Sequence, residues 1–266
     1  MGIKISIITI TYNSEKSIEK TIKSILKQKY RPLEYVFIDG CSKDQTVSII
    51  KTYIPQLESE GIEVKFISEP DNGISDAFNK GISLSTGVII GITNSDDTIE
   101  EGALVYIAEK FPEDVDVLYG NCRWEDKEKN VTYIRKSTVD LRDLNICMKI
   151  LHPAAYVKKS AYEKYGGFRT EFRYCMDKEL LARMQKMGAK FLYVDKILAS
   201  VSAGGVSDKN LKGVIYEGKQ IAIENGVPCL KVMFIFGRSY IMVKIKNTIK
   251  KVPAFYKIIQ NVKSRG

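Results

Sequence analysis

Five short runs rich in Val and Ile, each followed by a stretch of helical periodicity, leave this chain few folds to choose from. The strand-like runs are Lys4–Thr11, Leu33–Ile38, Val64–Ile67, Gly87–Ile92 and Val115–Tyr119. The helical patterns between them span about Glu15–Lys29, Asp44–Ile54, Ile74–Ser83 and Ile99–Lys110. Such strands, separated by helices, predict a parallel sheet with helices on both faces. Ligands of these sheets bind beyond the carboxyl ends of the strands. With 266 residues, 44% of them hydrophobic, the chain can build one domain with a full core, or one domain plus an appendage.

The residues that end these strands are polar: Thr11-Tyr12-Asn13, Asp39-Gly40, Glu69-Pro70-Asp71-Asn72-Gly73 and Asn94-Ser95-Asp96-Asp97. The predicted topology brings all four clusters to one rim, and three acidic clusters on one rim point to a metal and polar-ligand site. The last cluster is the most informative. In GVIIGITNSDDT an apolar strand runs straight into adjacent carboxylates, which repel each other and are costly to bury unless a cation or hydrogen-bond donors neutralise them. Mg2+ suits this, because it is commonly held by one or two carboxylates plus substrate phosphates. The plainer alternative is that Asp97, followed by Glu100, caps the next helix.

Several chemistries are excluded. The five cysteines (Cys41, Cys122, Cys147, Cys175 and Cys229) lack CxxC spacing, which argues for reduced thiols in the cytosol and against a zinc site. With His152 as the one histidine, a histidine metal centre or a His-based triad is not expected. No GxGxxG follows the first strand, so a dinucleotide site is not expected either. Gly213–Gln220 nearly matches a phosphate-binding loop, but Gln220 stands where Ser or Thr is required and no strand feeds it; it reads as ordinary helix. No apolar segment is long enough to span a membrane, and the N-terminus has no signal-peptide pattern.

After Tyr119 the rhythm changes. A hairpin is expected over Arg123–Arg135 with a charged turn at Glu125–Asn130, then an irregular stretch to His152 and a strand at Ala154–Lys158. A Gly166-Gly167 break, a helix over about Asp177–Met187, a strand at Phe191–Val194 and a helix over about Leu211–Glu224 follow. On the helix that starts near Asp177, residues Leu180, Leu181, Met184 and Met187 form one apolar stripe, and Asp177 points the same way. A carboxylate there is either a buried helix cap or a general base in a partly dry cleft. Glu179 falls on the opposite side, where an exposed ion pair with Arg183 accounts for it. Asp39 is either a turn residue beside Gly40 or an acceptor for the N3–H of a uracil ring. Asp44 reads as a helix cap, and His152 as structural or pocket-lining.

The net charge of +9 is unevenly placed. No acid follows Glu224, and nine of the 41 basic residues lie from Lys231 onward, so the body, with its 32 acids, is neutral. Basic residues mixed with Val232–Phe236, Tyr240–Val243 and Phe255–Tyr256 suggest an interfacial helix on an anionic membrane surface. No recognition motif accompanies them, so nucleic acid is not the expected partner. A partner-binding or oligomerising helix stays open.

Assembled, these residues resemble the inverting nucleotide-sugar glycosyltransferases of family 2. The resemblance covers about residues 3–205 and rests on SIITITYNSEKSIEKTIKSILKQ, IDGCSKDQT, EPDNGISDAFNKGI, the NSDD element and GGFRTEFRYCMDKELLARM. It is greatest to the subgroup that builds bacterial cell-surface polysaccharides. It implies a GT-A fold, a mixed and mainly parallel sheet flanked by helices, over residues 1–228. Residues 1–120 would bind the nucleotide sugar and 121–228 the acceptor, with 229–266 a basic amphipathic extension. Thr11, Tyr12, Asn13, Asp39, Asp71 and Asp96 would hold the nucleotide sugar, Asp96 at the ribose. Asp97 would ligate a Mg2+ or Mn2+ on the diphosphate. Asp177 would be the base that activates the acceptor hydroxyl, with Met176 in place of the Glu that usually precedes it. The donor would be a UDP-sugar and the acceptor a lipid-linked glycan, at the inner face of the cell membrane. A nucleotidyltransferase on a related sheet and a non-catalytic nucleotide-binding scaffold are the competing readings.

Overall fold

The first half of the chain folds as its periodicity dictates. A computed structural model describes residues 2–126, 130–203 and 210–250, and of 243–250 only the backbone. Strands β1 (Ile5–Thr11), β2 (Leu33–Asp39), β3 (Ile62–Ser68) and β4 (Ile89–Ile92) alternate with helices α1 (Ile18–Leu26), α2 (Thr46–Ser59) and α3 (Ile74–Leu84). All four strands are parallel, with β1 between β2 and β4, and β3 outside β2. One face packs Ile8, Val36, Ile38 and Ile90 with Ala77 and Phe78 of α3. The other packs Ile5, Ile7, Tyr35, Phe37 and Ile89 with Ile18, Ile22 and Ile25 of α1 and with Ile50 and Leu57 of α2. Each such aliphatic side chain contributes about 1.5–3 kcal/mol when fully buried. The gain at Leu57 explains why α2 continues past the stop expected at Ile54, although Pro55 removes one intrahelical hydrogen bond.

The second half makes the sheet mixed. Strand β8 (Ala155–Lys158) runs antiparallel between β4 and β6 (Val117–Asp126), so the strand expected at Val115–Tyr119 is not a neighbour of β4. Strand β6 pairs in parallel with β9 (Phe191–Ser202), with register shifts around Asn121, and carries the expected hairpin partner β7 (Val131–Arg135). The middle of that hairpin's turn, 127–129, lies outside the described residues. Strand β9 runs on beyond the Val194 expected as its end, because its later residues pair with β6 and, antiparallel, with β5 (Thr98–Ile99). Among the described residues the strands form one sheet in the order β3-β2-β1-β4-β8-β6-β9-β5, with β7 on β6.

Strand β5 corrects one boundary. The helix expected from Ile99, α4 (Ala103–Lys110), starts only after Gly102, which adopts a left-handed φ of 72°. Asp97 therefore caps no helix and leads into a strand. Helices α5 (Lys159–Tyr165) and α6 (Met176–Lys186) flank the Gly166-Gly167 break, and Gly166 takes a φ of 85°. Helix α7 (Leu211–Glu224) contains the phosphate-loop look-alike as plain helix, and α8 (Cys229–Lys250) seats Val232 and Phe236 on Ala222 of α7. No described helix is long and apolar enough to cross a membrane. Residues 251–266, the end of the basic tail, lie outside the described residues.

Candidate active site

Strand register builds the rim. Thr11, Asp39 and Ser68 are direct partners across β1, β2 and β3, and the Thr93 N–H donates to the Ile8 carbonyl just past β4. Strand β8 is antiparallel to β4, with Gly91 opposite Tyr156, so the turn before β8, His152–Ala154, meets the same rim. The loops there are laced together by side chains. The Asn13 N–H donates to Ser42 Oγ at 2.9 Å, Asn13 Oδ1 accepts the Lys43 N–H at 2.8 Å, and the Ser14 N–H donates to Thr46 Oγ1 at 2.7 Å. Asn13 sits at φ 50°, a left-handed position that Asn tolerates better than most residues. Asp44 caps as expected: it accepts the Thr46 N–H at 3.0 Å and the Glu15 N–H at 3.1 Å.

Asp39 is wholly buried, and four donors occupy its carboxylate. Thr11 Oγ1 (2.9 Å) and Ser42 Oγ (2.5 Å) donate to Oδ1, while the Ser42 N–H (3.0 Å) and Ser68 Oγ (2.7 Å) donate to Oδ2. A carboxylate offers about four lone-pair sites. As folded, Asp39 ties strand ends together, and a base N–H reaches it only after a hydroxyl of Ser42 or Ser68 turns away. Tyr12, by contrast, is 64% exposed. A Cβ at Gly40 would lie 3.5 Å from the Tyr12 ring and collide with the Asp71 carboxylate, so Tyr12, Gly40 and Asp71 stand together above β1 and β2. Asp71 also accepts the Gly73 N–H at 2.9 Å, which opens α3.

The Asn94–Asp97 turn joins this group through Ser14, whose hydroxyl lies 2.8 Å from that of Ser95. Asp97 is only 2% exposed and, among the described residues, accepts hydrogen bonds from Asn94 Nδ2 at 2.9 Å and the Ser202 N–H at 3.1 Å. Burial, and after it the neighbouring charge of Asp96, push its pKa up to about 7 against those bonds. Ser202 Oγ also donates to the Asp96 carbonyl at 2.8 Å, so the end of β9 supports the whole turn. Among the described residues no three acidic, histidine or cysteine side chains cluster closely enough to cage a cation by themselves. Two adjacent hard carboxylates with one of them nearly dry do fit a divalent cation that takes its other ligands from a diphosphate.

Asp177 occupies the first turn of α6, half buried, with Oδ1 accepting the Lys178 N–H at 2.7 Å. The loop before it is tied to α3: Ser75 Oγ donates to the Phe172 carbonyl at 2.9 Å, and Asn79 exchanges two hydrogen bonds with Phe168. His152 packs against Phe78 and Phe168, with centroids 5.8 and 5.9 Å away. Burial lowers the His152 pKa and the charge of nearby Asp177 pulls it back up. Leu180, Leu181 and Met184 are buried as expected, but Met187 lies past the end of α6 and is exposed. Glu179 is corrected outright: it is 3% exposed, bonded to Arg183 at 2.8 Å with Arg169 3.6 Å away. The serines that organise the rim (Ser14, Ser42, Ser68, Ser95 and Ser202) carried no sequence signal beyond their place near strand ends.

Residues 6–173 match the family model described as "Glycosyl transferase family 2". The chain belongs to that family. A "PGL/p-HBAD biosynthesis glycosyltransferase" of Mycobacterium bovis is 26% identical over 210 residues, covering 76% of this chain and 78% of its own length. A "GalNAc(5)-diNAcBac-PP-undecaprenol beta-1,3-glucosyltransferase" of Campylobacter jejuni is 30% identical over 131 residues, 48% of this chain and 41% of its own. The fold is that of the GT-A glycosyltransferases. S. aureus TarS 1-349 in complex with UDP-GlcNAc superposes with a TM-score of 0.64 at 20% identity, covering 88% of this chain and 70% of TarS 1-349. The mannosyltransferase PcManGT of Pyrobaculum calidifontis, in complex with GDP-Man and Mn2+, gives 0.66 at 16% identity and covers 99% of this chain and 80% of its own. This glycosyltransferase is matched by its family model only to residue 173, so Asp177 and all that follows it lie beyond the match.

Proposed function

We propose that this glycosyltransferase is a metal-dependent, inverting enzyme that moves a sugar from a UDP-sugar to a hydroxyl of a lipid-linked glycan during cell-surface polysaccharide synthesis. The observation that carries the reading is Asp97: a nearly dry carboxylate beside a second one, in the turn after β4, whose pKa burial and the Asp96 charge push up to about 7 and which a cation on a diphosphate would hold charged. Thr11, Tyr12, Asn13, Asp39, Asp71 and Asp96 would hold the nucleotide sugar, with the Tyr12 ring and Asp71 facing the nucleoside above Gly40. Bound at Asp97, Mg2+ or Mn2+ would stabilise the negative charge that develops on the leaving diphosphate.

Asp177 takes the proton of the acceptor hydroxyl as that oxygen bonds to the anomeric carbon. The bond to the diphosphate breaks with its electron pair, and the configuration inverts. Residues 121–228 would shape the acceptor side. Helix α8 and the basic residues after it would hold the enzyme on the inner face of the membrane, where a lipid-linked acceptor lies; the undecaprenol in the Campylobacter relative's name supports such an acceptor. The test is turnover of Asp177→Asn with a panel of UDP-sugars and Mn2+. Its UDP affinity should stay at the wild-type level while kcat falls by at least about a hundredfold, the low end for loss of a general base. Unchanged kcat removes Asp177 from the chemistry.

A further inference from the structure

The loop that delivers Asp177 is gripped by a helix outside the family-matched residues. Glu217 of α7 is 6% exposed, and its carboxylate gathers three consecutive backbone amides: Arg173 N–H on Oε1, and Tyr174 N–H and Cys175 N–H on Oε2, each at 2.8 Å. These residues immediately precede α6. The amides at the start of a helix have no intrahelical partner and need an outside acceptor. Cys175, at the N-cap of α6, supplies no side-chain cap, and Glu217 holds the Cys175 amide and the two before it from a different element.

The neighbouring contacts bind the same two elements. Asn210 Nδ2 donates to the Tyr174 hydroxyl at 2.7 Å, and Cys175 Sγ lies 3.5 Å from the Val214 carbonyl. Lys178, itself buried, sets its Nζ 5.6 Å from the centre of the Phe236 ring of α8. A buried carboxylate is costly unless it is well hydrogen-bonded. Here the bonds that offset the cost are the ones that fix where α6 begins.

We infer that Glu217 is a positioning residue, which by gathering the amides of Arg173–Cys175 sets the direction in which Asp177 faces the acceptor. The inference rests on the reading of Asp177 as the base. It goes beyond fold stability, because all three donors belong to the stretch of backbone abutting the catalytic turn. Loss of the carboxylate frees that stretch to tilt, and Asp177 tilts with it.

The chain's one histidine provides a test that needs no substrate. His152 feels the Asp177 charge, so its Cε1–H resonance reports where that carboxylate stands. In full-length protein with 13C-labelled histidine at pH 7, Asp177→Asn defines the shift caused by losing the charge. Glu217→Ala should shift the resonance in the same direction and by a comparable amount, although Glu217 is not itself sensed by the ring. Glu217→Gln, which keeps one acceptor oxygen for the Tyr174 and Cys175 amides but turns an NH2 toward the Arg173 N–H, should shift it less than Glu217→Ala. If Glu217→Ala does not fold, Glu217→Asp, which shortens the reach and keeps the charge, should give the shift in its place. An unmoved resonance in the shortened or truncated variant overturns the inference. A shift with Glu217→Ala but none with the charge-retaining Glu217→Asp also overturns it, since charge through space would then be the cause. So does an Asp177→Asn spectrum identical to wild type. Full turnover by Asp177→Asn would instead end the reading of Asp177 as base while leaving these shifts intact, so the two failures are distinguishable.

Discussion

Glu34, near the start of β2, and Asp97, in the turn after β4, are both buried carboxylates, and their surroundings drive them apart. Burial raises the pKa of each. At Glu34 this is outweighed by donors: Lys65 Nζ at 2.8 Å, Ser6 Oγ at 2.5 Å, and the Thr86 N–H and hydroxyl at 2.8 and 2.7 Å, which together hold its pKa at about 2. Among the described residues Asp97 has two uncharged donors and a more distant Lys20, which do not outweigh burial and the like-charged Asp96, so its pKa rises instead. The carboxylate near the amino end of the sheet is therefore held charged by the protein, whereas the one beyond its carboxyl end is pushed toward its neutral form, and the cation proposed at Asp97 would hold it charged. Because the Glu34 pKa is depressed on folding, its contribution is fully present above the unfolded value near 4.5 and is lost as pH falls from there through about 2. Urea unfolding at pH 7 should find Glu34→Gln less stable than wild type by about 3 kcal/mol, the free energy of such a shift. The gap should close as the pH approaches the folded value. A pH-independent difference would mean that packing, not ionisation, sets the cost.

Single elements carry the next layer. Helix α8 seats Val232 and Phe236 against α7, while Leu230, Met233, Phe234 and Ile241 are exposed at 84, 60, 72 and 58%. Their spacing (i, i+3, i+4, i+11) places them on one stripe, opposite the seated face. Lys231 and Arg238 are also exposed on α8, and no acid follows Glu224. An apolar stripe with basic flanks binds anionic bilayers through buried area plus charge. Cosedimentation of Phe234→Ser/Ile241→Ser with vesicles containing phosphatidylglycerol should drop sharply against wild type, and neither protein should bind pure phosphatidylcholine vesicles at high salt. Equal cosedimentation of both proteins would discard the interfacial role for this face. The double substitution is a better probe than truncation after Pro228, which would also strip Phe236 from α7 and Lys178. The core elements of the first half were legible because the central strands bury nearly continuous apolar runs and the helices bury stripes at helical spacing. The start of α4 and the length of β9 were not: a two-residue strand at Thr98–Ile99 and the Asp195-Lys196 break in apolar pattern take their structure from partners distant in sequence.

At the scale of the whole molecule, the rim gathers loops after β1, β2, β3 and β4 with the turn before β8 and the start of α6. A ligand that bridges them should stabilise the native state by mass action, by about 2.7 kcal/mol at a hundredfold excess over its Kd. Thermal unfolding should show UDP with Mn2+ raising Tm by several degrees, UDP with EDTA raising it little, and Asp97→Ala losing the Mn2+-dependent part. A rise of equal size in EDTA would remove the metal from donor binding. The sequence by itself determined the parallel strands, the helices between them and the placing of the acidic turns at strand ends, because alternating local periodicities leave a chain one efficient way to bury both faces of a sheet. Only the tertiary structure decided that β8 inserts antiparallel beside β4, that Asp39 is saturated by Thr11, Ser42 and Ser68, that Glu179 is buried, and that Glu217 gathers the amides just before α6. Those outcomes depend on which donors and acceptors meet across long sequence separations, and no local pattern encodes such meetings.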